Sequence, residues 1–382
     1  MKNKKIYFTC ALLMILLGTS DALRGIFSPL FLTEFGLSMS QISIIVSASY
    51  LGNLVCLLFG GVILDKVGSK KAMVGFVILL MASELLLLLG AKYAFLLLGF
   101  FFSLGLSTLL NTTMIFLSRE FSLKNPLFYL NILFFLQGIG TSLSQLVLTK
   151  FSSSIAVWNG VIISLAVLLI PIAFILFTSK FSDEKKADSN LNEIKKGRVN
   201  KLAIALLALA LAFYLIAEHG VTNYIVLYGT QHLALDAGKV GVMLSLFSFG
   251  ILSGRLILAT VSDKIGGAKM VFICLLSASI GYSIVFAFNS LPLLFLCGFA
   301  VSIVYPTLTD LSKSFVPSYM SARATTIVVS LASILDIGFN FVFGSVIEAI
   351  GYSKSMAILP LALFISTAIM LSLLFVGQRK SS

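Results

Sequence analysis

An all-α polytopic membrane protein, with twelve transmembrane helices in two pseudo-symmetric six-helix halves and both termini cytoplasmic, is the fold that three features of the sequence predict. Hydrophobic residues make up 59% of the 382 and charged residues only 11%, which excludes a pair of ordinary soluble domains. Apolar runs able to cross a hydrocarbon layer of ~30 Å, each needing roughly 20 residues, recur along the chain. The chain also repeats itself. Adding 198 to each number carries Asp65-Lys66-Val67-Gly68 onto Asp263-Lys264-Ile265-Gly266, Gly52 onto Gly250 and Leu37 onto Leu235, without a gap. Repeats of this size in a membrane chain mark parallel halves related by an axis along the membrane normal.

Hydropathy places the spans in order. Span 1 covers 6–32; Lys2 to Lys5 precede it as they would a signal peptide, but no small-residue cleavage site follows and the run continues to Phe31, so it is expected to stay uncleaved. Spans 2 to 6 cover 41–63, 71–90, 93–117, 126–148 and 157–177. Residues 178–201 carry seven bases and four acids without apolar periodicity, which suits a solvated cytoplasmic linker between a first half, 1–177, and a second, 202–382. Spans 7 to 12 cover 202–228, 239–260, 269–288, 291–312, 324–347 and 355–376, with Pro306 expected to bend the tenth. Gly52, Gly60, Gly138, Gly140, Gly250 and Gly254 stand where helices must approach closely, and packing is their default reading.

The net charge of +12 invites a nucleic-acid partner, and the placement of the charges argues against one. With the N-terminus inside, the bases from Lys2 to Lys5, Lys66, Lys70, Lys71, Arg119, Lys124, Lys264, Lys269, Lys313, Arg323, Arg379 and Lys380 all face the cytoplasm. Lys92, Lys150, Lys239 and Lys354 are left outside. That asymmetry is the positive-inside pattern. The expected partners are a lipid bilayer, here the cell membrane, and a small-molecule substrate; a monomer is the expected state. Cys10, Cys56, Cys274 and Cys297 lie singly in apolar runs as small buried hydrophobes, and no metal site is expected.

A charge inside hydrocarbon costs several kcal/mol, so an acid within a span needs a partner, a proton or a cavity. Asp21, Glu84, Glu218 and Asp336 qualify as proton-coupling candidates. Asp21 and Arg24, three residues apart, share a helical face and are expected to pair; Arg24 reads as the only base inside a span. The repeat lays His219 on Asp21, so spans 1 and 7 bring titratable groups to one depth. Asp336, with Asn340 one turn on, is favoured over Glu84, which stands alone in span 3. The amides Asn111, Asn131, Gln137 and Asn223 can meet a solute's hydroxyls as donors and acceptors, and Tyr214, Tyr224 and Tyr305 offer flat faces to a ring; for each, a helix contact is the default.

The charged stretch from Gly60 to Lys71 carries the most specific signal. Gly61, Asp65, Lys66 and Gly68, echoed by Asp263, Lys264 and Gly266, match the Gly-x-x-x-Asp-Arg/Lys-x-Gly-Arg/Lys-Arg/Lys loop between helices 2 and 3 of the major facilitator superfamily, with Ser69 standing where a base is usual. The resemblance implies a loop that gates the cytoplasmic side, and a secondary active transporter working by alternating access. Further stretches resemble the fucose-, glucose- and galactose-type sugar:proton symporters. They are Leu23 to Phe31, Ser47 to Gly52, Leu130-Asn131, Gly138-Ile139-Gly140, Phe213-Tyr214 with Glu218, Gly254-Arg255 and Tyr305-Pro306-Thr307. That branch implies sugar import coupled to protons, with no cofactor; sodium is the other candidate ion. Where the branch has a coupling aspartate this chain has Gly25, with Asp21 one turn earlier, and Ser107 stands in place of the cavity glutamate. The competing expectation is proton-driven export of amphipathic compounds, against which Gly138 to Ser142 lacks the proline of the exporter signature. No nucleophile with its base is found, so an enzyme is not expected.

Overall fold

The computed structural model describes residues 3–90, 92–121, 124–179, 181 and 199–378; most of the expected linker, 178–201, lies outside them. Contacts divide the chain into two units, Met1–Lys186 with Gly229–Gly241, and Ala187–Tyr228 with Val242–Ser382. Among the described residues, eleven helical stretches are long and apolar enough to cross a membrane. The remaining predicted span is the helix Ser69–Leu87, whose 19 residues keep Lys70, Lys71 and Glu84 in every 18-residue window. At 1.5 Å per residue it still measures about 28 Å, enough for the twelve-helix layout.

In the first unit, α1 (Lys4–Ile26) and the short α2 (Ser28–Thr33) precede α3 (Met39–Val67), α4 (Ser69–Leu87), α5 (Tyr93–Phe116), α6 (Ser118–Phe121), α7 (Pro126–Leu148) and α8 (Ile155–Thr178). The main contacts pair α3 with α5, α1 with α7, α4 with α5 and α4 with α8. Starts are capped by short polar side chains. Asn3 Oδ1 accepts from the Ile6 amide (3.2 Å), and Ser38 and Gln41 form a reciprocal capping box at α3.

Span 1 is not one helix. The break at Phe27 follows from Pro29, which has no amide hydrogen for the Gly25 carbonyl four residues back. The Ser28 hydroxyl donates to that carbonyl instead, at 2.8 Å, and the helix resumes.

The second unit holds α9 (Lys201–Leu227), α10 (Ala237–Ile265) from Val242 onward, α11 (Gly267–Phe288), α12 (Leu294–Val301), α13 (Val304–Leu311), α14 (Ser321–Ile350), α15 (Tyr352–Met356) and α16 (Ile358–Gln378). Here α9 packs on α14 and α16, and α11 on α16, α12 and α13. Span 10 is split between α12 and α13. Pro306 leaves the Ser302 carbonyl without its backbone donor, and Arg255 Nε of α10 supplies one at 3.3 Å.

Both units use glycine to bring helices together. In the first, a Cβ on Gly52 of α3 would fall on the Phe101 carbonyl of α5, and one on Gly105 would lie 2.9 Å from Cys56 Sγ. In the second, a Cβ on Gly250 of α10 would strike the Phe295 carbonyl of α12 and approach the Phe299 amide to 2.9 Å. With little hydrophobic drive between helices in lipid, this close backbone approach supplies the contact.

The charged stretch is less of a loop than expected. Helix α3 runs on through Asp65 and Lys66, both exposed, and only Gly68 turns the chain, with φ +83° and ψ 145°. Gly266 does the same before α11, with φ +92° and ψ 130°. A side chain strains this backbone region, so glycine alone punctuates an otherwise continuous helix pair.

Gly52→Leu and Gly250→Leu are each expected to lower stability by about 1–3 kcal/mol, since a side chain cannot enter these crossings without moving backbone. Gly75→Leu is the control, because nothing lies within 4 Å of a Cβ there. Thermal denaturation of detergent-purified protein, followed by loss of the monodisperse chromatographic peak, measures the difference.

Candidate functional site

Each unit gathers its intramembrane polar groups into a bonded cluster. In the first, Asp21 of α1 is half-buried, and its Oδ2 accepts from Gln137 Nε2 of α7 at 3.0 Å and from Ser107 Oγ of α5 at 3.2 Å. Its other oxygen, Oδ1, is buried without a hydrogen-bond partner among the described residues. Ser107 serves the carboxylate as a donor.

Asp21 and Arg24 share a face, as their spacing requires. Arg24 Nη2 donates to Tyr50 Oη of α3 at 3.1 Å, with the guanidinium carbon 4.8 Å from that ring's centre. Asp21 feels the arginine through space. The stacked, hydrogen-bonded guanidinium is 8% exposed.

Glu84 does not stand alone. It is fully buried on α4, its Oε1 lies 2.5 Å from Ser20 Oγ of α1 and 2.9 Å from Ser103 Oγ of α5, and those two hydroxyls lie 2.8 Å apart. Of the amides, Asn111 of α5 has a buried Oδ1 with no hydrogen-bond partner among the described residues, whereas Asn131 of α7 is exposed.

The second unit is built around Asp336 of α14, 1% exposed. Its Oδ2 lies 2.6 Å from His219 Nδ1 of α9, and its Oδ1 accepts from Asn340 Nδ2 at 3.0 Å. The chain of bonds continues, as Tyr224 Oη donates to Asn340 Oδ1 at 3.3 Å. The spacing of Asp336 and Asn340, one turn apart, put both on the face that meets α9. Asn223 is turned to the His219 carbonyl at 2.8 Å and is buried.

Glu218, next to His219, points to a different set of neighbours. Its charge reaches the buried Tyr214 and Tyr282 and also Tyr305; the charge of Arg255 acts on Tyr214 and Tyr305 as well. Arg255 is a second base inside a span, which the reading of Arg24 as the only one passed over. Tyr214 and Tyr224 are packed among their own unit's side chains, the latter edge-on to Phe343 with centroids 4.9 Å apart, so of the three tyrosines only Tyr305 keeps a partly open face. At the charged turns, Gly61 is half-exposed, Asp65, Lys66, Gly68, Lys264 and Gly266 are exposed, and the Asp263 side chain lies outside the described residues.

The sequence reading missed Ser20, Ser103 and the role of Tyr50. Ser20 adjoins Asp21, and Ser103 lies one turn before Ser107; that serine ladder on α5 was the available signal.

A family model described as Major Facilitator Superfamily matches residues 10–335. No curated protein matches the sequence. Among solved structures, the chain is similar to a D-xylose-proton symporter, with 16% identity, 97% of each chain covered and a TM-score of 0.76. It is also similar to the E. coli fucose:proton symporter (18% identity, 97% of this chain and 98% of that one, TM-score 0.63) and to a nucleoside transporter (13%, 99% of each, TM-score 0.75). At such identities the likeness is one of fold.

Removing one member of a buried, bonded pair leaves the other uncompensated, at a cost of about 3–5 kcal/mol. Asp336→Ala is therefore expected to destabilise strongly, and His219→Ala combined with Asp336→Ala to destabilise by less than the sum of the single changes. A double-mutant cycle of thermal melts in detergent checks this.

Proposed function

The chain belongs to the major facilitator superfamily of transporters, and from that premise we propose that it imports a sugar, or a solute of similar hydroxyl chemistry, together with protons by alternating access. The observation that carries this reading is the matched pair of buried carboxyl clusters. The 198-residue offset lays Asp21 on His219 and lays Gln137 on Leu335, next to Asp336. The first and fifth long helices of each unit thus meet through one acid and one nitrogen-bearing partner, Asp21 with Gln137 and His219 with Asp336. A carboxyl so placed changes its hydrogen bonding when it gains or loses a proton, and that change is what couples a proton to helix movement.

The partly open polar groups suit a polyol. Gln137 and Asn111 in the first unit, and His219 and Tyr305 in the second, each supply donors and acceptors that hydroxyls can meet in either sense, and Arg24 adds a cation to the first. Similarity to xylose, fucose and nucleoside transporters supports the same chemistry, since each of those solutes carries a hydroxylated ring. Glu218 shares the coupling role with Asp21. We place both termini in the cytoplasm of a cell membrane, from the positive-inside pattern, and assign the turns at Gly68 and Gly266 to gating on that side.

Uptake of a panel of radiolabelled sugars into proteoliposomes, with an imposed pH gradient, with the gradient collapsed and with sodium replaced by potassium, tests the proposal. Accumulation is expected to need the gradient, acid outside, and to be insensitive to sodium. Asp21→Asn is expected to abolish accumulation while exchange of one sugar for itself persists. No uptake of any sugar, together with gradient-driven extrusion of a lipophilic dye, would replace the importer with an exporter.

A further inference from the structure

We propose that Glu84 is the seat of a membrane-buried proton, held in a closed three-oxygen ring with Ser20 and Ser103 that latches α4 to α1 and α5, and that Glu84 and Asp21 hold this one proton between them. The coupling role of that proton rests on the symport reading above; its seat does not.

The argument is a count of hydrogens. Three oxygens, Glu84 Oε1, Ser20 Oγ and Ser103 Oγ, lie 2.5, 2.9 and 2.8 Å apart pairwise, all within the range of an O–H···O bond. Three such contacts need three hydrogens, and two hydroxyls carry only two. If Glu84 were ionised, one contact would set lone pair against lone pair at bonding distance. Its Oε2, buried with no partner among the described residues, would also share a charge in hydrocarbon with nothing to meet it. A proton on Oε1 removes both difficulties, for each oxygen then donates once and accepts once around the ring.

The surrounding charges favour the same assignment. Along α5 the only titratable side chain is Tyr93, at its start; α7 has Tyr129, and α8 has none. On α4 itself the only others are Lys70 and Lys71, in its first turn; α3 has Tyr50, which bonds Arg24, then Cys56 and, in its last turn, Asp65 and Lys66, and α1 has Tyr7 and Cys10 besides the lysines at its start. Of the acids, Asp21 is the one whose charge acts on Glu84. Asp21 receives two hydrogen bonds and the through-space attraction of Arg24, so it is the member equipped to bear the negative charge. Two ionised carboxylates this close in hydrocarbon repel, and the pair therefore titrates as a unit. Loss of the Glu84 proton opens the ring and frees α4 from α1; its transfer to Asp21 neutralises the acid beside Arg24.

Infrared difference spectroscopy of the full chain in proteoliposomes at neutral pH, in H2O and D2O, tests this without any substrate. The wild type is expected to show the carbonyl stretch of a protonated carboxylic acid, shifting in D2O. Glu84→Gln should remove that band, Asp21→Asn should keep it, and Ser103→Ala should move it, because one ring bond is lost. Survival of the band in Glu84→Gln, its loss in Asp21→Asn, or an unmoved band in Ser103→Ala would each overturn the proposal. Glu84→Gln mimics the neutral acid and should fold; if it does not, the Ser103→Ala shift alone still decides. A band that behaves as stated alongside a failed sugar panel would remove the sugar and leave the proton site standing.

Discussion

Lipid offers no hydrogen bonds, and that one constraint organises this molecule. Every carbonyl that a helix break releases and every charge that a span carries must find its partner among other side chains. Pro29 breaks α1, and Ser28 at once serves the Gly25 carbonyl. Arg24 is tolerated because Tyr50 offers it both a hydroxyl and a ring face. Asp336 engages a histidine on one oxygen and an amide on the other. Where helices need no polar partner, glycine lets backbones touch, and the contact is one of shape alone.

The two units answer the constraint with related but inverted chemistry. In the first, the acid sits on the first long helix and the amide on the fifth; in the second, the imidazole sits on the first and the acid on the fifth. The duplicated framework has kept a polar crossing between its first and fifth long helices while the acid changed sides.

Much of this was legible in the sequence. The span count, the repeat, the close approach at Gly52 and Gly250 and the four intramembrane acids follow from hydropathy and spacing, because lipid permits so few alternatives. What stayed hidden was of two kinds. A continuous apolar run masks the break at Phe27, since the residues on both sides are equally greasy. The serines were harder still. Ser49, Ser83 and Ser279 in similar spans donate to their own helix's carbonyls, and nothing local distinguishes them from Ser20 and Ser103, which reach across to an acid. The difference lies in which helix stands opposite, and that is set by packing.

The split between α12 and α13 has one more implication. A helix owes its stiffness to the regular ladder along its axis, and here the rung that Pro306 cannot make is held by Arg255 from α10. The rigidity of one rod has been lent to it by another. Rotate or slide α10 by a fraction of a turn and the rod becomes a jointed pair, with no covalent change and no unfolding. A substitution in α10 would then read out as a change in the bending modulus of a segment some fifty residues away in the chain, by the mechanics of a removable splint.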